Sequence, residues 1–318
     1  MSNILELDKR ISLIDGYDMQ RSNRTGTYVI KEKELTLVET SASLSIPFLE
    51  RGLAEMDISL EDIKYIILTH IHLDHAGGAG LFLQKCPNAK IVVHEKGVRH
   101  LVDPSRLVAG ARAVYGEKFD ELFEPVVPVP EDRIIVKRHL DTLDISNTST
   151  LTFYNTPGHA NHHLSIYDEV SNGMFAGDTV GIYYRELAVD GIDFYLPSTS
   201  PNQFDPEEML KSAKLYQDIK IDRIYFGHFG VSEHPEDVYQ HLKQWLPVFT
   251  DAAGQAYNNY QDVSEKISAT ERAIYQAVYQ HLAEKGVPSD HPVFEIIKLD
   301  LMVSSMGLID YCAKHKIP

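Results

Sequence analysis

Short apolar runs rich in β-branched residues alternate with turn-forming residues through the first two thirds of the chain. Runs of four to seven such residues, bounded by Gly, Pro, Asn and Asp, are typical of β-strands. They predict strands at residues 26–30, 35–39, 65–69, 90–94, 134–138, 151–155, 164–167, 173–176 and 223–227. Many of these runs end on polar residues, which places candidate chemistry at the strand ends.

A helix with clear start signals follows the strand at 173–176. Asp205 is a suitable N-cap, and Pro206 suits the first helical position. Met209, Ala213 and Tyr216 then recur at helical spacing and are expected to form the buried stripe of this helix.

The strand pattern stops after residue 235. Helical periodicity predicts three helices, at residues 236–262, 268–284 and 292–313. We therefore predict a catalytic domain over residues 1–235 and a helical C-terminal module over residues 236–318. The apolar stripe from Val293 to Ile309 predicts that this helix packs against the rest of the protein. The alternatives are that the stripe forms a dimer face, and hence a homodimer, or that it forms a lid over the site.

Composition narrows the classes of partner. The 318 residues carry a formal net charge of −16, which disfavours binding to phosphate backbones and anionic lipid, with a local basic patch as the alternative. The expected partner is a small-molecule substrate. The two cysteines build no disulfide framework. Residues 1–20 are charged throughout and lack the apolar core of a signal peptide, so we expect a cytoplasmic protein that does not bind membranes.

The most informative motif is a cluster of metal-ligand residues at positions 70–75, directly after a predicted strand. His70 and His72 can point to the same side of a turn, and Asp74 and His75 can bend back toward them. This pattern suits a pair of divalent cations. Imidazole and carboxylate ligands favour zinc, and a ligand set without thiolate favours an open catalytic site over a closed structural one.

Further metal-ligand residues follow three later strands. His159 is the last residue of the turn Thr-Pro-Gly-His, and Asp178 directly follows a glycine. His228 is the second residue of the run Gly-His-Phe-Gly. A glycine beside each candidate ligand permits a sharp turn at the edge of a sheet.

In this order, the H-x-H-x-D-H core, the T-P-G-H turn, the G-D strand end and the late G-H element resemble the metallo-β-lactamase fold superfamily, in the branch similar to glyoxalase II and the lactone hydrolases. The resemblance implies a mixed α/β (α+β) fold, a four-layer αββα sandwich with a C-terminal helical extension, and a site at one edge of the paired sheets. Carried over by motif position, it assigns His70, His72 and His159 to a first metal, Asp74, His75 and His228 to a second, and Asp178 to both.

The resemblance therefore implies a binuclear metallohydrolase. Two divalent cations, most simply zinc with iron or manganese as alternatives, lower the pKa of a shared water and supply a metal-bridging hydroxide. We expect cleavage of an ester, thioester or lactone bond in a small molecule. Asp74 and Asp178 are the expected catalytic carboxylates, with Asp74 orienting the hydroxide or passing a proton to the leaving group.

Two further residues are candidates for orienting the ligands. Glu39 stands where the family more often has aspartate near the end of an early strand, and His163 lies where the family often has histidine. Each is predicted to hold a ligand in place through a hydrogen bond, with a solvated turn (Glu39) or plain packing (His163) as the alternative.

Substrate contacts are expected from Tyr183, Tyr184 and Phe229. An acyl-homoserine lactonase would be expected to place a tyrosine three positions after the bridging aspartate, where this chain has Gly181. Tyr183 or Tyr184 is then expected to reach the same space.

Three other activities of the superfamily are alternatives. A persulfide dioxygenase would hold a single iron through His70, His159 and Asp178. A phosphodiesterase or nuclease would need a basic face that the composition does not indicate. The di-iron flavoproteins typically have glutamate in place of the second motif histidine, which here is His72, and they carry a flavin domain whose pattern is missing from this sequence.

Overall fold

The predicted strands form a larger and a smaller β-sheet in a computed structural model that describes residues 2–315. Within these residues the larger sheet contains seven strands, in sheet order Ile4–Glu6 (β1), Ile11–Asp15 (β2), Gly26–Ile30 (β3), Leu35–Val38 (β4), Ile63–Ile67 (β5), Lys90–His94 (β6) and Ile134–Lys137 (β7). Strands β1 to β4 pair antiparallel, and β4 to β7 pair parallel.

The smaller sheet contains six strands over the same described range. They are Thr142–Ser146 (β8), Ser149–Asn155 (β9), Leu164–Asp168 (β10), Gly173–Gly177 (β11), Arg223–Phe226 (β14) and Val231–Ser232 (β15). Their order in the sheet is β15-β14-β11-β10-β9-β8, and the one parallel pair among the described strands of this sheet joins β11 to β14. Ile182–Tyr183 (β12) and Tyr195–Leu196 (β13) form a separate antiparallel ribbon.

The described residues also form ten α-helices and five short 3-10 helices. The α-helices are Ile46–Glu55 (α1), Leu73–Ala76 (α2), Ala79–Leu83 (α3), Val98–Val102 (α4), Ser105–Tyr115 (α5), Phe119–Phe123 (α6), Pro206–Ile219 (α7), Pro235–Asn259 (α8), Val263–Glu284 (α9) and Val293–His315 (α10). Among the described helices, none is both long enough and apolar enough to cross a bilayer.

The described chain divides into two compact units. The first contains the residues up to Thr156, His162–Gly177 and Ile219–Pro235. The second contains Pro157–Asn161, Asp178–Asp218 and the chain from Glu236 onward. Glu236 is also the first residue of the C-terminal module predicted from the sequence, but the second unit includes two earlier segments as well.

Both sheets belong to the first unit, and their apolar faces meet in a common core. Successive residues of a strand point to opposite faces of the sheet. Tyr28 and Ile30 of β3 accordingly join the core between the sheets, where the Tyr28 ring lies 5.2 Å from that of Phe175. Val29 points the other way and joins Leu49 of α1 in the core on the outer face of the larger sheet.

The second unit contains α9, α10 and most of α7 and α8. Asp205 caps α7 as predicted, since its Oδ1 accepts from the backbone N–H groups of Glu207 at 3.0 Å and Glu208 at 3.1 Å. The predicted stripe of Met209, Ala213 and Tyr216 is buried.

The three helices predicted for the C-terminal third are confirmed as α8, α9 and α10. Val293, Ile297, Leu301 and Ile309 of the predicted apolar stripe are buried on α10. That is the outcome expected for a packing stripe.

Six of the described strands were not predicted from the sequence: β1, β2, β8, β12, β13 and β15. All five residues of β2 are buried, so this strand lacks the alternation of polar and apolar positions that marks a half-exposed strand. It is also short, with Arg10 directly before it and Asp15 at its end.

A buried ion pair links the two sheets. The Arg10 guanidinium donates to both carboxylate oxygens of Asp168, at 2.7 and 2.6 Å, and to Ser149 Oγ at 2.8 Å. The side chain of Asp168 is fully buried, and Ser171 also donates to it. Removing the arginine would therefore leave a buried carboxylate without its counter-charge.

We expect Arg10→Met to lower the free energy of unfolding by about 3 kcal/mol, because breaking a buried pair leaves one charge uncompensated. Arg138→Met is the control, since Arg138 forms an exposed ion pair with Glu95 that is expected to contribute little. Urea denaturation measures both. Equal losses of unfolding free energy in the two variants would show that the ion pair of Arg10 with Asp168 does not stabilise the contact between the two sheets.

Candidate metal centre

The H-x-H-x-D-H motif lies at a strand-to-helix turn, as its sequence position predicts. It begins three residues after β5, and His72 directly precedes the short helix α2. His70 and His75 are almost completely buried, whereas His72 and Asp74 are partly exposed. Two of the ligand-type side chains of this turn therefore lie in the core, and the other two lie closer to solvent at the edge of the sheet.

Glu39 connects two histidines of this motif through its two carboxylate oxygens. Its Oε2 lies 2.5 Å from His75 Nδ1, and its Oε1 accepts a hydrogen bond from Thr69 Oγ1. Thr69 Oγ1 is also 3.0 Å from His70 Nδ1. A carboxylate only accepts, and the threonine hydroxyl has one hydrogen, so the Nδ1 atoms of His70 and His75 both carry hydrogen. Each histidine is therefore held in the tautomer whose Nε2 can bind a metal ion.

The position of Glu39 at the end of β4 makes this arrangement possible. Its backbone N–H donates to the carbonyl of Ile67 in the neighbouring parallel strand at 2.8 Å. Its φ is +69°, a conformation that non-glycine residues rarely adopt and that persists only where surrounding contacts stabilise it. The structure thus places Glu39 against a predicted ligand, where the sequence analysis expected an orienting carboxylate.

A second group in the first unit consists of Asp74, His75 and His228. One donor atom from each lies within 4.8 Å of the others. Asp74 Oδ2 is 3.5 Å from His75 Nε2 and 3.6 Å from His228 Nε2. These are the three residues predicted to hold the second metal. Two imidazoles and a carboxylate with converging donor atoms fit a divalent cation of the zinc type.

Gly227 permits the close packing of this group. A Cβ atom at position 227 would lie 2.7 Å from Cε1 of His75, so any side chain there would displace a predicted ligand. Gly227 also follows β14 directly and donates its N–H to the carbonyl of Gly177 at 3.2 Å. The glycine before His228 is thus required by the close approach of the two chain segments.

The remaining two predicted ligands, His159 and Asp178, belong to the second unit and lie together there. His159 Nε2 is 3.6 Å from Asp178 Oδ2. His159 Nδ1 is 3.0 Å from the carbonyl oxygen of Ser198, to which it donates, so Nε2 is the nitrogen able to ligate. Both ligands are nearly fully buried. Convergence of all seven ligands on one cation pair stays a prediction.

The other predicted site residues are buried in specific contacts. His163 stacks on His70 with ring centroids 5.0 Å apart, and its Nδ1 is 3.2 Å from Thr156 Oγ1. Tyr183 Oη donates to Asp193 at 2.6 Å, and burial together with this bond raises the pKa of Tyr183.

Tyr184 Oη donates to Asp300 at 2.9 Å, and Phe229 belongs to the core between the sheets. Contact of Tyr183, Tyr184 or Phe229 with a substrate stays a prediction.

Asp18 is a candidate site residue that the sequence analysis missed. It lies in the turn between β2 and β3 and is 2% exposed, with neighbours Tyr17 and Met19 at positive φ. Burial raises the pKa of Asp18 to about 6, and the charge of Asp74 adds to the rise. Positive charge on His228 opposes it. A single aspartate in a polar turn carries no sequence signal for this placement.

The amino-acid sequence of this chain matches a known protein superfamily. Residues 24–228 match the sequence profile of the metallo-β-lactamase superfamily, and the chain therefore belongs to it. The predicted fold class, with its C-terminal helices, is confirmed. Assignment to the glyoxalase II and lactonase branch stays a prediction.

Individual relatives agree with this assignment. The metallo-β-lactamase fold-containing protein ST1585 of Sulfurisphaera tokodaii is 28% identical over 190 residues, which cover 59% of this chain and 68% of the relative. The crystal structure of ST1585 from Sulfolobus tokodaii has a TM-score of 0.65 at 21% identity and covers 95% of this chain and 98% of its own. TTHA1429 from Thermus thermophilus has a TM-score of 0.63 at 20% identity, with 98% and 95% covered.

A shorter match has a named activity. The N-acyl homoserine lactonase AttM of Rhizobium radiobacter is 30% identical over 111 residues. The match covers 35% of this chain and 38% of AttM.

Glu39→Gln is expected to weaken metal binding about 10- to 100-fold, the usual effect of removing a group that orients ligands. Thr69 and His75 donate to different oxygens of Glu39, and in glutamine one of these two atoms becomes an NH2 group that can only donate. Competition with a chromogenic chelator measures the affinity. Glu61→Gln, at an exposed position, is the control. Unchanged affinity in Glu39→Gln would remove Glu39 from the metal centre.

Asp18→Asn is expected to stabilise the metal-free protein in a pH-dependent way. The folded-state pKa of about 6 lies above the unfolded value of 3.8, so ionised Asp18 destabilises the fold above pH 6 and the effect vanishes below about pH 4. The variant should gain about 3 kcal/mol at pH 8 and about half of that at pH 5.

Denaturant titration at the two pH values tests the Asp18 prediction. Asp62→Asn is the matched control at an exposed site. A gain in Asp18→Asn that is equal at pH 5 and pH 8 would contradict the assigned cause, because an uncharged packing effect does not depend on pH.

Proposed function

We propose that the protein is a binuclear metallohydrolase that cleaves an ester, thioester or lactone bond of a small molecule. In this proposal His70, His72 and His159 hold one divalent cation, Asp74, His75 and His228 hold the other, and Asp178 contacts both. Zinc is the expected metal, with iron and manganese as alternatives. When bound, such a cation pair supplies a water of lowered pKa and polarises a carbonyl group.

The observation that carries the proposal is the group formed by Asp74, His75 and His228. A single-metal oxygenase of the superfamily would use His70, His159 and Asp178 and would leave this second group without a purpose. Instead its donor atoms converge within 4.8 Å, and Glu39 holds His75 in a metal-binding tautomer. Two buried imidazoles beside a carboxylate, one of them in a fixed tautomer, favour a second cation over packing alone.

Asp74 is the residue best placed to act on the substrate. Its side chain is 21% exposed, whereas the side chains of His75 and His228 are 1% and 6% exposed. Its carboxylate can therefore reach both a bound water and solvent. We propose that Asp74 orients the attacking water, accepts a proton from it and then passes that proton to the departing alkoxide or thiolate.

A partial sequence match to a relative supports the proposed substrate class, and close contacts at position 181 narrow it. AttM, which is named as an N-acyl homoserine lactonase, matches part of this chain. At position 181, however, φ is +96° and a Cβ atom would lie 2.1 Å from the carbonyl oxygen of Leu196. No tyrosine fits there without a backbone shift. The proposal is therefore an ester, thioester or lactone hydrolase that lacks the tyrosine expected three residues after Asp178 in acyl-homoserine lactonases.

The protein's charge supports a small and weakly charged substrate. A net charge of −16 repels nucleic acid and polyanionic surfaces. We accordingly propose a small-molecule substrate and no nucleic-acid partner.

Asp178→Ala is expected to lose at least one of two bound metal equivalents and to lower turnover by about 100-fold or more, because it removes a ligand shared by both cations. Metal content by mass spectrometry and a screen against lactones, thioesters and phosphoesters measure both effects. Asp218→Ala is the control, since Asp218 forms an exposed pair with Lys214. Retention of both metals in Asp178→Ala, or one iron with persulfide-dependent oxygen uptake in the natural protein, would overturn the proposal.

A further inference from the structure

The segment Ser198–Ser200 contacts both predicted ligands of the second unit. The Ser198 carbonyl accepts from His159 Nδ1 at 3.0 Å, and Ser198 Oγ donates to Asp178 Oδ2 at 2.9 Å. Ser200 Oγ lies 3.5 Å from His159 Nε2. Ser198 and Thr199 are buried, at 8% and 1% exposure. One residue, Ser198, thus sets the orientation of a histidine with its backbone and of a carboxylate with its side chain.

The C-terminal helix α10 holds this segment from its other side. Thr199 Oγ1 donates to the backbone carbonyl of Ser304 at 2.9 Å. Gly307, one turn later, lies against the backbone of the segment: a Cβ atom there would be 2.0 Å from the Thr199 carbonyl oxygen and 2.5 Å from the Ser200 carbonyl carbon. Backbone meets backbone at this point, so the contact cannot absorb even a methyl group without movement.

We infer that α10, through Gly307 and Ser304, positions Ser198 so that His159 and Asp178 are aimed at the metal ions. This role for the C-terminal helix rests on the proposed function, because it takes His159 and Asp178 as ligands. It also assigns two positioning residues: Ser198, which acts through His159 and Asp178, and Gly307, which acts through the backbone of the segment.

The geometry favours positioning over plain helix packing. A glycine inside a helix costs roughly 1 kcal/mol relative to alanine, so the glycine at 307 is explained by its close backbone contact and not by helix stability. Gly254 of α8 offers the contrast, because nothing lies within 4 Å of a Cβ atom built there. The two glycines have the same helical backbone but opposite surroundings.

The test compares metal affinity in four variants of the full chain. Gly307→Ala and Ser198→Ala are expected to bind zinc about 10- to 100-fold more weakly in chelator competition. Gly254→Ala and Ser198→Thr, which keeps the hydroxyl, are expected to keep the affinity of the natural protein. The d–d absorption of the cobalt-substituted protein should change in the first pair and not in the second, because it reports ligand geometry directly.

Each outcome decides the inference. Natural affinity and an unchanged cobalt spectrum in both Gly307→Ala and Ser198→Ala would overturn it. An equal loss in Gly254→Ala would also overturn it, since the effect would then belong to helices in general. If Gly307→Ala does not fold, Thr199→Val replaces it, because this variant removes the hydrogen bond from the segment to Ser304 of α10 and is expected to weaken zinc binding in the same way. Failure of the proposed function is distinct, because it would appear as both metals retained in Asp178→Ala, or as one iron with persulfide-dependent oxygen uptake in the natural protein.

Discussion

Ionisable side chains can be buried only where hydrogen bonds or opposite charges replace the water they lose, and the candidate metal centre depends on this constraint. The side chains of Glu39 and His75 are each 1% exposed, and the two contact each other directly. Thr69 extends the same bond network to His70. The network satisfies the buried carboxylate and also determines which nitrogen of each imidazole is left able to bind a metal ion. Stability and ligand orientation therefore depend on the same set of contacts.

Parallel pairing of strands brings these residues close together. Strands β4 and β5 run parallel, so Glu39 and Thr69, which follow them, emerge at the same edge of the larger sheet. Strands β11 and β14 are likewise parallel, and they end beside Gly177 and Gly227, whose backbones are hydrogen-bonded. A parallel pair brings two carboxyl ends together, whereas an antiparallel pair separates them. This topology explains why ligand-type residues so distant in sequence share one edge.

The two predicted ligands of the second unit have a different support. His159 and Asp178 are oriented by an irregular segment, and that segment is backed by a long helix. Irregular backbone has no ladder of its own to hold it, so a close backbone contact such as that at Gly307 supplies the rigidity that a strand would otherwise provide. A helical extension can thus take part in a metal centre without supplying a ligand to it.

Local features of this protein could be predicted from its amino-acid order: the positions of most strands, the cap at Asp205, and the ligand motif at the turn after β5. They depend on a few neighbouring residues, because strand pattern, capping and turn chemistry act over short spans.

The long-range contacts emerge only when the chain is folded. They include the burial of Asp18, the link from Glu39 to both His70 and His75, and the contact of Gly307 with the segment at Ser198. Each depends on residues that lie far apart along the chain. Their proximity results from strand pairing and helix packing, and no local pattern of side chains encodes it.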